Sequence, residues 1–217
     1  MSKKPDNSAH ESHIREIDPD HPDASLIYEA ARIIKTGGII IFPTRTLYGI
    51  GVDALNPKAV DRVFSVKKRS AAKPVSVLVG SMSAVRSLVA EVPSSADALM
   101  EKFWPGRMTI VFKAGAQVPS NLTAGTGKIG IRVPEHPVAV KLLQSLDAPV
   151  TGTSANFSGS QGCHRIADLP SDMIGQINLI LDSGSLRGGI GSTVVDVTTF
   201  PPTILREGVV SREAVFG

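Results

Sequence analysis

The chain is poor in cysteine, in aromatic residues and in long apolar runs. Its 217 residues include a single cysteine, Cys163. One thiol excludes an intramolecular disulfide framework and any cysteine-based metal cluster. Two tyrosines, one tryptophan and seven phenylalanines fall mostly in core-like runs. Stacking platforms for single-stranded nucleic acid are therefore sparse. No apolar run reaches membrane-spanning length, and the N-terminus lacks the apolar core of a signal peptide. The default expectation is a cytoplasmic enzyme or binding protein without a membrane partner. Internal repeats and linkers are also missing, and no carboxylate cluster suggests a dedicated metal site.

One stretch lacks acidic residues altogether. From Arg62 to Lys73 the chain carries five basic side chains and no Asp or Glu. This run leaves a helical pattern (Val60, Val63, Phe64) and enters a strand-like one (Val75, Val77, Val79), so dense positive charge sits on a connection between two regular elements. Such a loop can hold a polyanion on a rigid frame, or it can be a solvated basic turn. The bulk composition, 42% hydrophobic and 20% charged with a net charge of +3, is that of a mildly basic globular domain.

Periodicity supplies the elements. Asp23 can cap a helix to about Lys35, with Leu26, Ile27, Ala30, Ala31, Ile33 and Ile34 as a wide apolar stripe and Gly37-Gly38 as its stop. Ile39–Phe42 is apolar on both faces, as in a buried strand. It ends at Pro43, and PTRTLYGIG places hydroxyls and a tyrosine at the strand's C-terminal end, where open α/β sheets hold ligands. Asn56-Pro57 starts a helix to about Val66. Strands are expected at Pro74–Val79, Met108–Phe112, Lys128–Val133, Val194–Val197 and Ile204–Leu205, with a further apolar run at Asn178–Leu181. Helices are expected at Ser83–Val89, at Ser94–Phe103 with a serine cap, and from His136-Pro137 to Leu146. TGTSANFSGSQG and SGSLRGGIGS read as small polar loops. Strands interleaved with helices predict a single α/β domain with one mixed, twisted, open sheet flanked by helices. Residues 1–22 read as a polar tail or edge strand, 23–210 as the domain, and 211–217 as a C-terminal tail.

Familiar motifs fail in context. Gly125-Thr126-Gly127-Lys128-Ile129-Gly130 fits GxGxxG by letter, but a strand follows where a helix should start. Gly152-Thr153-Ser154-Ala155-Asn156 resembles a nucleophile elbow but ends in Asn, and neither His136 nor His164 stands out as its base. His10, His13 and His21 show no ligand spacing. Cys163 beside Arg165 allows a reactive thiol, but no catalytic partner is evident. Trp104 reads as a core residue.

Seven stretches taken together resemble one family: PTRTLYGIG (43–51), KKRSAAKPVSVLV (67–79), WPGRMTIVF (104–112), IGIRVPEHPVA (129–139), TSANFSG (153–159), GSTVVD (191–196) and ILREG (204–208). Their order and spacing are similar to those of the YrdC-like threonylcarbamoyl-AMP synthases, over about residues 23–210. The resemblance implies an α/β sheet curving around a positively charged cavity. It implies a nucleotidyltransferase that takes L-threonine, bicarbonate and ATP, with Mg²⁺ carried by the ATP, to threonylcarbamoyl-AMP and pyrophosphate. The product serves threonylcarbamoylation of adenosine 37 in tRNA, completed by downstream transfer proteins. Some members carry an extra C-terminal domain, which a chain of this length is expected to lack.

Carried over by motif, the resemblance implies ATP contacts at Lys67, Arg69, Lys73, Lys128, Ser154, Asn156, Gly162 and Arg206. It implies threonine contacts at Thr46, Arg132, Gly152 and Ser192. The residues suit the chemistry independently. All the reactants are anionic, so cations and donors that bring like charges together are needed more than a nucleophile. Electrostatic positioning by Lys67, Arg69, Lys73 and Arg132 is expected in place of a catalytic triad. The planar fork of Arg132 matches a carboxylate. The plainer alternatives are a structural ion pair for Arg132 and a surface charge for Arg206. The chain departs from the family pattern at Arg45, at Lys68 and Ser70 (where the family commonly has Gly and Pro), at Leu78 and at Gly152-Thr153, mostly on the amino-acid side. The competing reading is a paralogue holding a nucleotide, tRNA or double-stranded RNA in the same cavity without turnover.

Overall fold

In a computed structural model the protein is described over residues 13–217; residues 1–12 of the expected polar tail, His10 among them, lie outside the described residues. The chain opens with β1 (Ile14–Glu16) and α1 (Ala24–Lys35). The Asp23 carboxylate accepts the amides of Ser25 and Leu26 at 2.7 and 3.1 Å, which caps α1. Gly37, at φ +82°, turns the chain out of the helix. β2 (Ile40–Pro43) follows, with all four residues buried. The segment Thr44–Leu47 then reverses the chain, and β3 (Tyr48–Gly51) returns antiparallel to β2. The sequence did not signal this strand, because its two glycines hide the β pattern.

Asn56 caps α2 (Pro57–Val66), which leads through the basic loop to the two-residue strand β4 (Val77–Leu78). The helices α3 (Met82–Arg86) and α4 (Ser94–Phe103) come next. Pro93, not a serine, stands at the α4 cap position and makes no side-chain cap bond. The hairpin β5 (Met108–Lys113) and β6 (Lys128–Arg132) precedes α5 (Pro137–Leu146). The expected loop at TGTSANFSGSQG begins with two short strands, β7 (Val150–Thr151) and β8 (Thr153–Ser154). A 3₁₀ turn (Ile166–Asp168), α6 (Ser171–Ile174), β9 (Leu179–Asp182), β10 (Thr193–Asp196) and β11 (Thr203–Arg206) complete the α/β unit. The expected C-terminal tail contains a short helix, α7 (Arg212–Phe216), capped by Ser211.

The strands form two mixed sheets, not one. The first has the order β1-β9-β2-β3-β8 and the second β11-β10-β5-β6-β4-β7. The chain crosses from the second sheet to the first at Gly152, between β7 and β8. Strands of two residues are too short for periodicity to reveal, so this junction was not legible beforehand. It is tightly joined. The fully buried Thr151 hydroxyl accepts the Val52 amide at 3.1 Å and donates to the Ile50 carbonyl at 3.0 Å. Gly51 admits the approach, because a Cβ there would stand 2.7 Å from the Phe42 ring and 2.9 Å from Val150 Cγ1.

Ile39–Phe42 divides between two apolar clusters, as a strand apolar on both faces must. Ile39 and Ile41 join a large core with Val60, Val63, Ile110 and Phe112. Ile40 and Phe42 join a second core against α1 and α5. Trp104 is buried, and its indole N–H donates to the Met108 carbonyl at 2.7 Å.

Candidate active site

A cleft of about 790 Å³ lies where the two sheets meet, within the size range of small-ligand sites. Of the residues singled out in the sequence, Thr46, Arg69, Lys128, Arg132, Gly152, Ser154, Asn156, Gly162, Ser192 and Arg206 line it. Residues separated by 160 positions in the chain are thus brought into one space. Four basic side chains (Arg69, Lys128, Arg132, Arg206) and two acidic ones (Asp196, Glu207) face the cleft.

The basic groups are held differently. Arg69 follows α2, and its Nε and Nη2 donate to the carbonyls of Lys73 and Pro74 at 3.1 and 2.9 Å. Arg206, at the end of β11, donates to the Ser192 carbonyl through Nη2 at 2.7 Å. Lys128 is matched by Asp196 at 2.8 Å. Burial raises the Asp196 carboxyl, but hydrogen bonds from Lys128 and Thr198 outweigh it and hold the group below the usual carboxylate range. Arg132, at the end of β6, makes no hydrogen bond or ion pair through its guanidinium among the described residues. Burial pushes its pKa down to about 10, nearby Arg206 adds to this, and Glu135 opposes it. Arg69 is shifted down in the same way, by burial and then by Arg206. Three guanidiniums therefore share one field, and none is hydrogen-bonded to a carboxylate.

Two expected phosphate ligands stand elsewhere. Lys73 is exposed and does not line the cleft; it meets Arg69 through its carbonyl. Lys67 is buried, and its ammonium donates to the carbonyl of Ser154, to that of Asn156 at 2.9 Å and to Asn156 Oδ1 at 3.2 Å. Burial, then nearby Arg69, pushes this ammonium down to about 7, against three oxygen acceptors that favour its charged form. Asn156 ties its own loop together: Nδ2 donates to the carbonyls of Phe157 and Ser160 at 2.8 and 2.7 Å.

Neither the Ser154 hydroxyl nor the Cys163 thiol is hydrogen-bonded to a basic side chain among the described residues. Ser154 Oγ donates to Asn156 Oδ1 at 2.5 Å, so it faces an amide rather than a basic imidazole. Cys163 is buried and donates to the Arg165 carbonyl, and burial pushes its thiol pKa up, away from thiolate chemistry. Ser192 Oγ and Thr109 Oγ1 lie 2.8 Å apart on the cleft wall.

A family model for the Sua5, YciO and YrdC proteins, described as "Telomere recombination", matches residues 32–208. The chain belongs to the Sua5/YciO/YrdC family. The threonylcarbamoyl-AMP synthase of Pyrococcus abyssi is 37% identical over 186 residues, 86% of this chain and 55% of that protein. That of Bacillus subtilis is 33% identical over 191 residues, 87% of this chain and 55% of that protein. The chain thus spans about half the length of these relatives. A structure of P. abyssi Sua5 complexed with L-threonine superimposes with a TM-score of 0.89 at 35% identity, covering 94% of this chain and 61% of that one. Escherichia coli YciO superimposes with a TM-score of 0.81 at 30% identity, covering 91% and 96%.

Within this Sua5/YciO/YrdC fold the sequence departures have structural places. Leu78 is buried under Gly152, where a Cβ would come within 2.8 Å of its Cγ. With leucine at 78, a side chain at 152 would crowd it, and glycine leaves the room. Arg45 sits 3.0 Å from Glu135, misaligned for a hydrogen bond, and does not line the cleft. Sequence reasoning missed Ser76, Thr109, Asp196 and the Gly189–Gly191 wall as lining residues. Ser76, Thr109, Asp196 and Gly191 lie inside stretches already singled out, but a strand hydroxyl or a paired carboxylate carries no signal until its partner is placed.

Proposed function

We propose that this chain makes threonylcarbamoyl-AMP from L-threonine, bicarbonate and Mg-ATP. The observation that carries this is the convergence of Arg69, Arg132 and Arg206 on one cleft without a carboxylate bonded to any of them. Like charges gathered along one cleft favour an anionic ligand. Every reactant in the proposed reaction is anionic or carries a carboxylate. The synthase relatives and the threonine-bound Sua5 support the choice of substrates.

The threonine amine forms a C–N bond to the bicarbonate carbon and water leaves. A carbamate oxygen then forms a bond to the α-phosphorus, and pyrophosphate departs. The protein's contribution is to hold these groups in line and offset their repulsion. Arg132, whose guanidinium makes no hydrogen bond or ion pair among the described residues, grips the threonine carboxylate, while Thr46, Gly152 and Ser192 bound the amino acid. Arg69, Lys128, Ser154, Gly162 and Arg206 hold the nucleotide, whose Mg²⁺ arrives with it as part of the substrate. A tRNA adenosine, reached through transfer proteins, is the product's destination in this proposal.

Pyrophosphate release from ATP should require threonine and bicarbonate together. Release at the same rate with threonine left out would sink the proposal.

A further inference from the structure

Lys67 lies behind the cleft wall, at the C-terminal end of α2, and is 1% exposed. A lysine ammonium has three N–H donors, and this one meets three acceptors: the Ser154 carbonyl, the Asn156 carbonyl at 2.9 Å and Asn156 Oδ1 at 3.2 Å. The Lys67 carbonyl in turn accepts the Ser158 amide at 2.8 Å. Beside it, the Lys68 ammonium lies 4.2 Å from the centroid of the Phe157 ring. The end of α2 therefore grips Ser154, Asn156, Phe157 and Ser158. Ser154, Asn156 and Ser160 line the cleft, and so does Arg69, two residues beyond Lys67.

We infer that Lys67 is a positioning residue: it fixes the Ser154–Ser160 wall relative to Arg69 and does not itself touch a bound nucleotide. Its donors are committed to main-chain and amide oxygens. Turning the ammonium to a phosphate would take from the half-buried Asn156 carbonyl the donor it has here. The inference deepens the nucleotide reading above, but its first test needs no ligand.

Hydrogen exchange on the ligand-free protein should quicken at least tenfold at amides within 154–160 in Lys67→Met, and stay unchanged there in Arg69→Met. Isothermal titration with Mg-ATP should give the opposite ranking: a Kd within fivefold of wild type for Lys67→Met, and a rise of tenfold or more for Arg69→Met. In turnover, Lys67→Met should lower kcat at least tenfold with the KM for ATP within fivefold. A role in folding alone would leave both constants unchanged per folded molecule. Should Lys67→Met fail to fold, Lys67→Gln retains two donors and should show the same changes in smaller measure. Unaltered exchange at 154–160 in the folded variants would overturn the inference, as would a tenfold loss of ATP affinity with exchange unaltered. Wild-type protein without turnover would count against the synthase reading alone, since the exchange comparison does not involve substrate.

Discussion

Arg69 and Lys73 stand on the same basic loop but differ in reach. The Arg69 fork is anchored by two carbonyls and faces the cleft, whereas Lys73 extends into solvent. Arg69→Ala should therefore weaken ATP binding by roughly 1–3 kcal/mol, the scale of a charge-assisted hydrogen bond. Lys73→Ala should change it by less than about 0.5 kcal/mol, as expected of an exposed charge. Titration calorimetry on the two variants separates them. Arg132→Lys keeps the charge but loses the planar fork, so threonine affinity should fall by roughly 1–3 kcal/mol with ATP affinity almost unchanged. Equal losses for both ligands would contradict the carboxylate assignment. Composition and motif order marked the basic residues, but not which of them face inward. That depends on where a loop of two tight turns sends each side chain, and Lys68 at φ +49° has no sequence signature.

At the scale of elements, helices were the legible part. α1, α2 and α5 carry capping or first-turn residues together with apolar stripes, and both signals are local. The strand expected at Pro74–Val79 is present as β4, trimmed to two residues, whereas the two-residue strands β7 and β8 are defined by their partners and read as a loop in the sequence. Thr151 illustrates the cost of such a joint. Replacing it with Val keeps the shape but removes the hydroxyl that serves Val52 and Ile50. Stability should drop by about 1–3 kcal/mol, measurable in urea unfolding followed by the fluorescence of Trp104, the single tryptophan. A change below about 0.5 kcal/mol would mean that water takes over both bonds.

For the whole molecule, the α/β class, the single unit and most element positions were readable, while the division into two sheets was not. The cleft exists because of that division. Its walls come from both sheets, and Lys128 and Asp196 pair across β6 and β10. Asp196 has a folded-state pKa held below its unfolded value. Its contribution is thus complete above the unfolded value and is lost as pH falls through the folded one. Acid unfolding of the wild type should be steeper than that of Asp196→Asn below about pH 4, and parallel curves would remove Asp196 from the linkage. No helix among the described residues is long and apolar enough to cross a membrane.

The most direct measurement is mass spectrometry of the reaction products after incubation with L-threonine, bicarbonate and Mg-ATP. The predicted result is threonylcarbamoyl-AMP that disappears when threonine or bicarbonate is omitted. ATP bound in the cleft but left intact, or AMP and pyrophosphate formed without the threonine adduct, would contradict it.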